Sequence, residues 1–240
     1  MRKILETLKR KWAEYLLEII VIMIGIMGAF MLNNWNEGRK ADVIELEVIN
    51  GLKDDIEKDI TNLEIMIPFD SMIVESNKKL IQILKDPYSE YDESLDTLFG
   101  WINRFAYFYP QRMAYETLRS KGLETLNNKN LRSSIVNLYD FEYDVLTFFI
   151  EIKKDIYNNS NSIFLTHLET QGKSVILKRP NNFQELKKSN EFRNYVTHIY
   201  AEQLNALFAS RNTLSVVNAV KKDLEIEIGL IVSRTIYIGI

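Results

Sequence analysis

Cysteine is absent from this 240-residue chain, which removes disulfides, thiol catalysis and thiolate-built zinc or iron–sulfur sites. The absence suits either redox compartment and so locates nothing. Glycine occurs nine times and proline four, too rarely for a sandwich or barrel, which needs a turn every ~8–12 residues. Long helices are expected instead. The two histidines, His167 and His198, fall on different predicted helices. Glu202, four residues after His198, is the nearest approach to a helical metal motif, and it reads as a solvated side-chain contact. Glycine-rich phosphate loops, nucleophile elbows and kinase signatures are all missing, so neither a cofactor nor a catalytic residue is expected. A net charge of −3 gives no basic footprint, and nucleic-acid binding is not expected.

What the chain does have is a long apolar run. From Ile19 to Leu32, every residue lacks a charged or polar side chain. With Trp12 to Leu17 before it and Asn33 to Trp35 after it, the segment reaches the ~20 residues that cross a bilayer. Trp12, Tyr15 and Trp35, with Asn33 and Asn34, stand where an interfacial belt belongs. A buried core helix is the competing reading, but this run is apolar on every side. No small-x-small cleavage site follows it, so a removed signal peptide is not expected. The expected division is a short basic tail over 1–15, a transmembrane helix over 16–35 and a helical domain over 36–240. Arg2, Lys3, Lys9, Arg10 and Lys11 precede the span, and only Arg39 and Lys40 follow it closely. That bias puts the N-terminus in the cytoplasm and the domain outside.

Glu18 lies about one turn inside the apolar segment, where an ionised carboxylate is costly. It either snorkels to headgroup water or meets a partner charge in another membrane helix. Gly25 and Gly28 are three apart, so the four-residue spacing of the GxxxG dimer motif is lacking.

Beyond the span, Ile49, Leu52, Ile56, Leu63 and Met66 fall at the a and d positions of a heptad, and Asp59 interrupts a d position. The helix is expected to run from the membrane to about Ile67 and to be kinked or ended by Pro68. A second helix is expected over Ser71 to Leu84. Asp54, Asp55 and Glu57 with Lys53 and Lys58 read as a solvated charged face. An aromatic stretch follows, with Phe99, Trp101, Phe105, Tyr107, Phe108 and Tyr109; it reads as a bundle cap rather than as a pocket. A short helix over Arg112 to Ser120 ends at Lys121-Gly122. On it, Arg112, Glu116 and Arg119 share a face, and with Trp101 they form a candidate anion patch, although intrahelical salt links are the commoner role. A long helix is read from Leu131 to Leu168, with Glu142 interrupting its second apolar row. Val175 to Leu177 reads as extended, Arg179-Pro180 as a turn, and a last long helix begins at Ser189. The whole reads as all-α: a transmembrane helix and an elongated antiparallel bundle.

The run ending Leu32-Asn33-Asn34-Trp35-Asn36-Glu37, with Glu18 and Gly25 upstream, resembles a family of bacterial single-pass membrane proteins that form a domain of unknown function. Tyr115-Glu116-Thr117-Leu118, Gly122-Leu123 and Leu131 through Tyr139 are also similar to it. Members usually carry two glycines where this chain has Gly122 alone. The resemblance implies a bacterial inner-membrane protein and brings no catalytic residues. Leu16-Leu17-Glu18-Ile19 is weakly similar to a type IV pilin N-terminus, but Ala13 and Glu14 occupy the positions that pilin processing needs.

Two functions are compatible with these features. One is an interaction or scaffold module of an envelope complex, with the bilayer and a membrane protein or second copy as partners. The other is a ligand-sensing bundle that signals through a partner.

Overall fold

The structure, a computed structural model, describes the backbone of residues 2–171 and 177–238, and the side chains from Trp12 to Arg234 except those of 160, 161 and 172–176. Helix α1 runs unbroken from Arg2 to Lys85. At 1.5 Å per residue its 84 residues span about 125 Å. After α1 come α2 (Leu95–Trp101), α3 (Met113–Lys121), a 3₁₀ turn (Leu123–Thr125) and α4 (Lys129–Asn137). A single π-helical turn, Leu138–Glu142, joins α4 to α5 (Tyr143–His167). A two-stranded antiparallel hairpin, β1 (Leu168–Thr170) and β2 (Lys178–Pro180), leads through α6 (Phe183–Lys188) to α7 (Asn190–Ile238). The architecture is all-α apart from this hairpin.

Pro68 neither ends nor divides α1, contrary to expectation. In the register set by Ile49 and Leu52, Pro68 sits at an f position and is exposed. The missing proline N–H therefore frees only the carbonyl of Glu64, on a face where water reaches it. The apolar seam on the opposite face passes through undisturbed. Glu45, Ile49, Leu52, Ile56, Asp59, Leu63, Met66, Asp70, Ile73, Asn77, Leu80 and Leu84 occupy successive a and d positions, and every one is buried. Glu142, the other expected interruption, belongs to the π turn, whose extra residue resets the apolar face between α4 and α5.

Helix α7 packs antiparallel to α1. Lys53 lies 3.9 Å from Glu225 and Lys221 lies 3.0 Å from Glu57, while farther along Arg211 reaches Ser71 and Gln203 reaches Asn77. The bundle holds two apolar clusters. One, nearer the apolar run, joins Val48 to Met66 of α1 with Tyr115, Leu138, Tyr139, Tyr143 and Val217 to Ile231. The other, at the far end, gathers Leu80, Leu84, Phe99, Phe164, Phe183, Phe192 and Val196. Arg179-Pro180, expected as a turn, instead belongs to β2. Val175 and Ile176 lie outside the described residues. α7 begins beside the expected Ser189, whose Oγ accepts the Phe192 N–H.

Helix α3 ends where Gly122 adopts φ 100° and ψ 134°, a positive-φ extended conformation rather than the left-handed helical cap expected there. A Cβ at this position would first meet the carboxylate end of Glu124, which can swing away, but the backbone conformation cannot be relieved. Gly122→Ala is expected to destabilise the detergent-solubilised chain by roughly 1–3 kcal/mol in urea unfolding. Gly38→Ala, in open space on α1, should cost nothing.

Candidate functional site

Three features bear on function: the apolar segment of α1, the strap that crosses α1, and a cleft at the far end of the bundle. The apolar segment is one helix long and apolar enough to cross a membrane. From Leu16 to Leu32 its large side chains are exposed and the bundle covers none of them, unlike those of a helix buried in the chain's own core. Glu18 and the belt residues Trp12, Tyr15, Asn33, Asn34 and Trp35 all project from it exposed. Arg39 stacks 5.1 Å over the Trp35 ring, and Lys40 pairs with Glu37 at 3.0 Å.

The strap is the chain from Ile102 to Asn128, which runs along α1 toward the apolar segment. It carries α3 and the 3₁₀ turn after an irregular stretch and is held by carboxylates of α1. Asp70 accepts the Ala106 N–H (3.2 Å), Asp59 the Gln111 N–H (3.0 Å), Asp55 the Ala114 N–H (2.9 Å) and Glu45 the Asn127 N–H (2.7 Å). Asp55 thereby serves as an N-terminal cap for α3 from another helix, since Arg112 at the cap position supplies no side-chain bond. Asp55 is buried, not part of a solvated face as expected, whereas Lys58 beside it is exposed.

Glu45 and Asp59 are fully buried, and Asp70 nearly so. Asp59 also accepts the Tyr143 hydroxyl at 2.7 Å, next to Tyr139, whose ring meets Tyr143 edge-on and stacks on Tyr115. Burial pushes the Asp59 carboxyl up to about 6, despite its hydrogen bonds to Gln111 and Tyr143; neighbouring Asp55 adds to the rise and Arg112 opposes it. Burial likewise raises the Tyr143 and Tyr139 phenols. Asp70 pairs with the buried Lys153 at 3.3 Å, and burial lowers the lysine despite that carboxylate. Asp59, Asp70, Tyr143 and Lys153 are thus each committed to a backbone or core partner, while the Tyr139 hydroxyl is buried without a hydrogen-bond partner among the described residues.

Neither the candidate anion patch nor the intrahelical salt links read as commoner is found among the described residues. Arg112 turns to Asp144 at 2.7 Å, Arg119 lies 5.9 Å over the Tyr115 ring, and Glu116 is exposed. Among the described residues no ion pair joins the three. Trp101 packs edge-on against Phe69, away from α3. His167 packs against Phe192, His198 is exposed, and among the described residues no three metal-ligating side chains converge.

The cleft brings together residues that sequence spacing did not connect. Its volume is about 410 Å³, within the ~300–1,000 Å³ of small-molecule pockets. The strap supplies Asn103, Arg104, Phe105 and Tyr107, α5 supplies Tyr157 and Phe164, and β2 supplies Lys178. Lys178 bonds to Thr170 and stands 5.5 Å over the Phe164 ring. Asn103 Oδ1 accepts the Tyr195 hydroxyl, while its buried Nδ2 has no hydrogen-bond partner among the described residues. The aromatic stretch thus divides: Phe99 and Phe108 fill core, as expected, but Phe105 and Tyr107 edge this cleft.

An exposed apolar helix continuous with a helical bundle defines a class of proteins with one candidate membrane span and a bundle carried on the same helix. The family comparison agrees with that outline. Residues 18–204 match the model of a family of unknown function (DUF6090), and the chain belongs to this family. No curated protein and no solved structure matches it.

Asp59 yields a test. A carboxyl raised in the folded state stabilises below its unfolded value near 4 and loses that contribution as pH rises through about 6. Stability of the native chain relative to Asp59→Asn is therefore expected to fall by about 1–3 kcal/mol between pH 4.5 and 7.5. Urea titrations of both proteins at several pH values measure it. A pH-independent difference would contradict the burial assigned to Asp59.

Proposed function

We propose that this protein is a membrane-tethered interaction module of a bacterial envelope complex, without catalysis. In this reading α1 crosses the inner membrane once, the N-terminus is cytoplasmic, and the bundle stands in the periplasm. The supporting observation is the unbroken α1: the helix that carries the apolar segment also forms the core seam of the bundle. Movement or crowding at the membrane therefore passes directly into the bundle, and the reverse. Large apolar side chains outside the segment give partners something to hold. Ile65 is 70% exposed and borders an open cleft with Tyr107 and Tyr109, whose rings stack at 6.0 Å. Glu18, exposed within the apolar segment, is the candidate contact for a charged group in another membrane helix or in a second copy.

Ligand sensing is the second reading, and the cleft favours it. Its wall is tied to both long helices, through the Ala106 N–H on Asp70 of α1 and through Gln203 of α7, which donates to the Ile102 and Arg104 carbonyls.

Two measurements test the first reading. Reporters active only in the periplasm or only in the cytoplasm, each fused after Ile240, should show periplasmic activity alone; cytoplasmic activity would reverse the orientation. Photocrosslinking residues placed at Ile65 and Tyr109 should give a discrete adduct in membranes, diminished by Glu18→Ala. A chain that stays monomeric and uncrosslinked in its native membrane would overturn the interaction role.

A further inference from the structure

We propose that the cleft between the strap, α5 and β2 binds a small organic anion built on an aromatic ring, an aromatic carboxylate being the simplest member. The inference supplies a ligand class for the sensing reading and rests on that reading alone, not on the partner or the topology.

Charge comes first. Among the described residues lining the cleft none is acidic, whereas Arg104, which already has a partner in the fold, and Lys178 are both cationic. A neighbouring cleft of about 270 Å³ is lined by both signs, with Glu47, Asp54 and Asp55 against Lys58 and Lys121. The cleft of about 570 Å³ beside Ile65 has no charged lining among the described residues. A concave surface of one sign is where a field is focused rather than cancelled, and a positive one selects anions.

The walls are the second observation. Phe105, Tyr107, Tyr157 and Phe164 present flat apolar surface around the two cations. Rings recruit rings, and the Lys178 ammonium over Phe164 shows that a cation is already held against an aromatic face. A bare inorganic anion would leave this apolar lining unused.

Third is the lone donor. Asn103 lines the cleft, and its Nδ2 is buried without an acceptor among the described residues. An unmade hydrogen bond at a buried amide is costly, and an oxygen brought by a ligand would complete it, as would a single water from the adjoining cavity. The adjoining cavity that Asn103 also lines is only about 10 Å³, enough for about one water, so an organic guest must lie on the open side.

The position of the wall gives binding a consequence. Residues 102–106 are gripped by Gln203 of α7 and by Asp70 of α1, and the buried Lys153 stands 5.5 Å over the Phe105 ring. A ligand bridging Arg104 and Lys178 would fasten the strap to the hairpin and load both long helices through those bonds.

The test uses the full chain in detergent with 4-hydroxyphenylacetate as probe and the uncharged 4-hydroxyphenylacetamide, acetate and inorganic phosphate as comparisons. Thermal unfolding should shift upward with the aromatic carboxylate and remain unmoved by the amide, acetate or phosphate. Isothermal titration should show affinity falling at least about tenfold in Arg104→Gln and in Lys178→Gln, and unchanged in Lys121→Gln, a cation of the mixed-sign cleft. Unliganded melting of each variant establishes that it is folded. No shift with 4-hydroxyphenylacetate or with a panel of one- and two-ring aromatic carboxylates would overturn the inference. So would an equal response to acetate or phosphate, or binding retained by Lys178→Gln. Binding is read on the chain alone, so a chain that binds but changes no partner contact would overturn sensing and leave the ligand site standing.

Discussion

Everything in the bundle depends on how α1 accommodates polar residues in its own core seam. Four of twelve successive a and d positions are polar: Glu45, Asp59, Asp70 and Asn77. A buried carboxylate without partners would cost several kcal/mol, enough to unfold a marginal domain. Each is answered from a distant part of the chain. Glu45 binds Asn127, Asp59 binds Gln111 and Tyr143, Asp70 binds Ala106 and Lys153, and Asn77 binds Gln203. With Asp55, the three carboxylates make α1 a rail to which the chain from 102 to 128 is fixed at four backbone N–H groups. Outside α3 and the 3₁₀ turn that chain has no ladder of its own, and the carboxylates satisfy backbone N–H groups at Ala106, Gln111, Ala114 and Asn127.

The same arrangement explains why α1 is a single helix. Apolar contact with α7 secures one face along two clusters, and the strap secures an adjoining one. Pro68 falls on the face that neither uses. Its cost is confined to one solvent-side hydrogen bond, which tertiary packing outweighs. A helix held this way is continuous from the exposed apolar segment to the far end of the bundle, where the cleft is walled by residues bonded to both long helices.

The helices were legible because heptad spacing is a local property. Ile49, Leu52, Ile56, Leu63 and Met66 announced the seam of α1, and the start of α7 at Ser189 was plain. Asp59 was legible only as a defect. Seen with Glu45, Asp70 and Asn77 at the same register, polar residues at core positions are the signal of a buried partner, and that signal was present to be read. The partners themselves were not, since Gln111 and Ala106 contribute backbone N–H groups that no side-chain pattern marks. The anion patch failed for the opposite reason. Arg112, Glu116 and Arg119 have helical spacing, but Asp144 and Tyr115 outcompete Glu116 for the two cations. The cleft draws on residues 100–107, 157–165 and 178, separations that neither period nor motif connects.

The continuity of α1 past Pro68 is the claim on which the coupling of apolar segment to bundle stands, and a distance measures it directly. Because the chain has no cysteine, Ala41→Cys and Glu75→Cys place two spin labels on exposed positions without background. Thirty-four residues of unbroken helix separate them by about 50 Å. Double electron–electron resonance on the full chain in lipid nanodiscs should give one narrow distribution centred there. A broad or clearly shorter distribution would mean that α1 breaks at Pro68, and the bundle would then be hinged to its apolar segment rather than built on it.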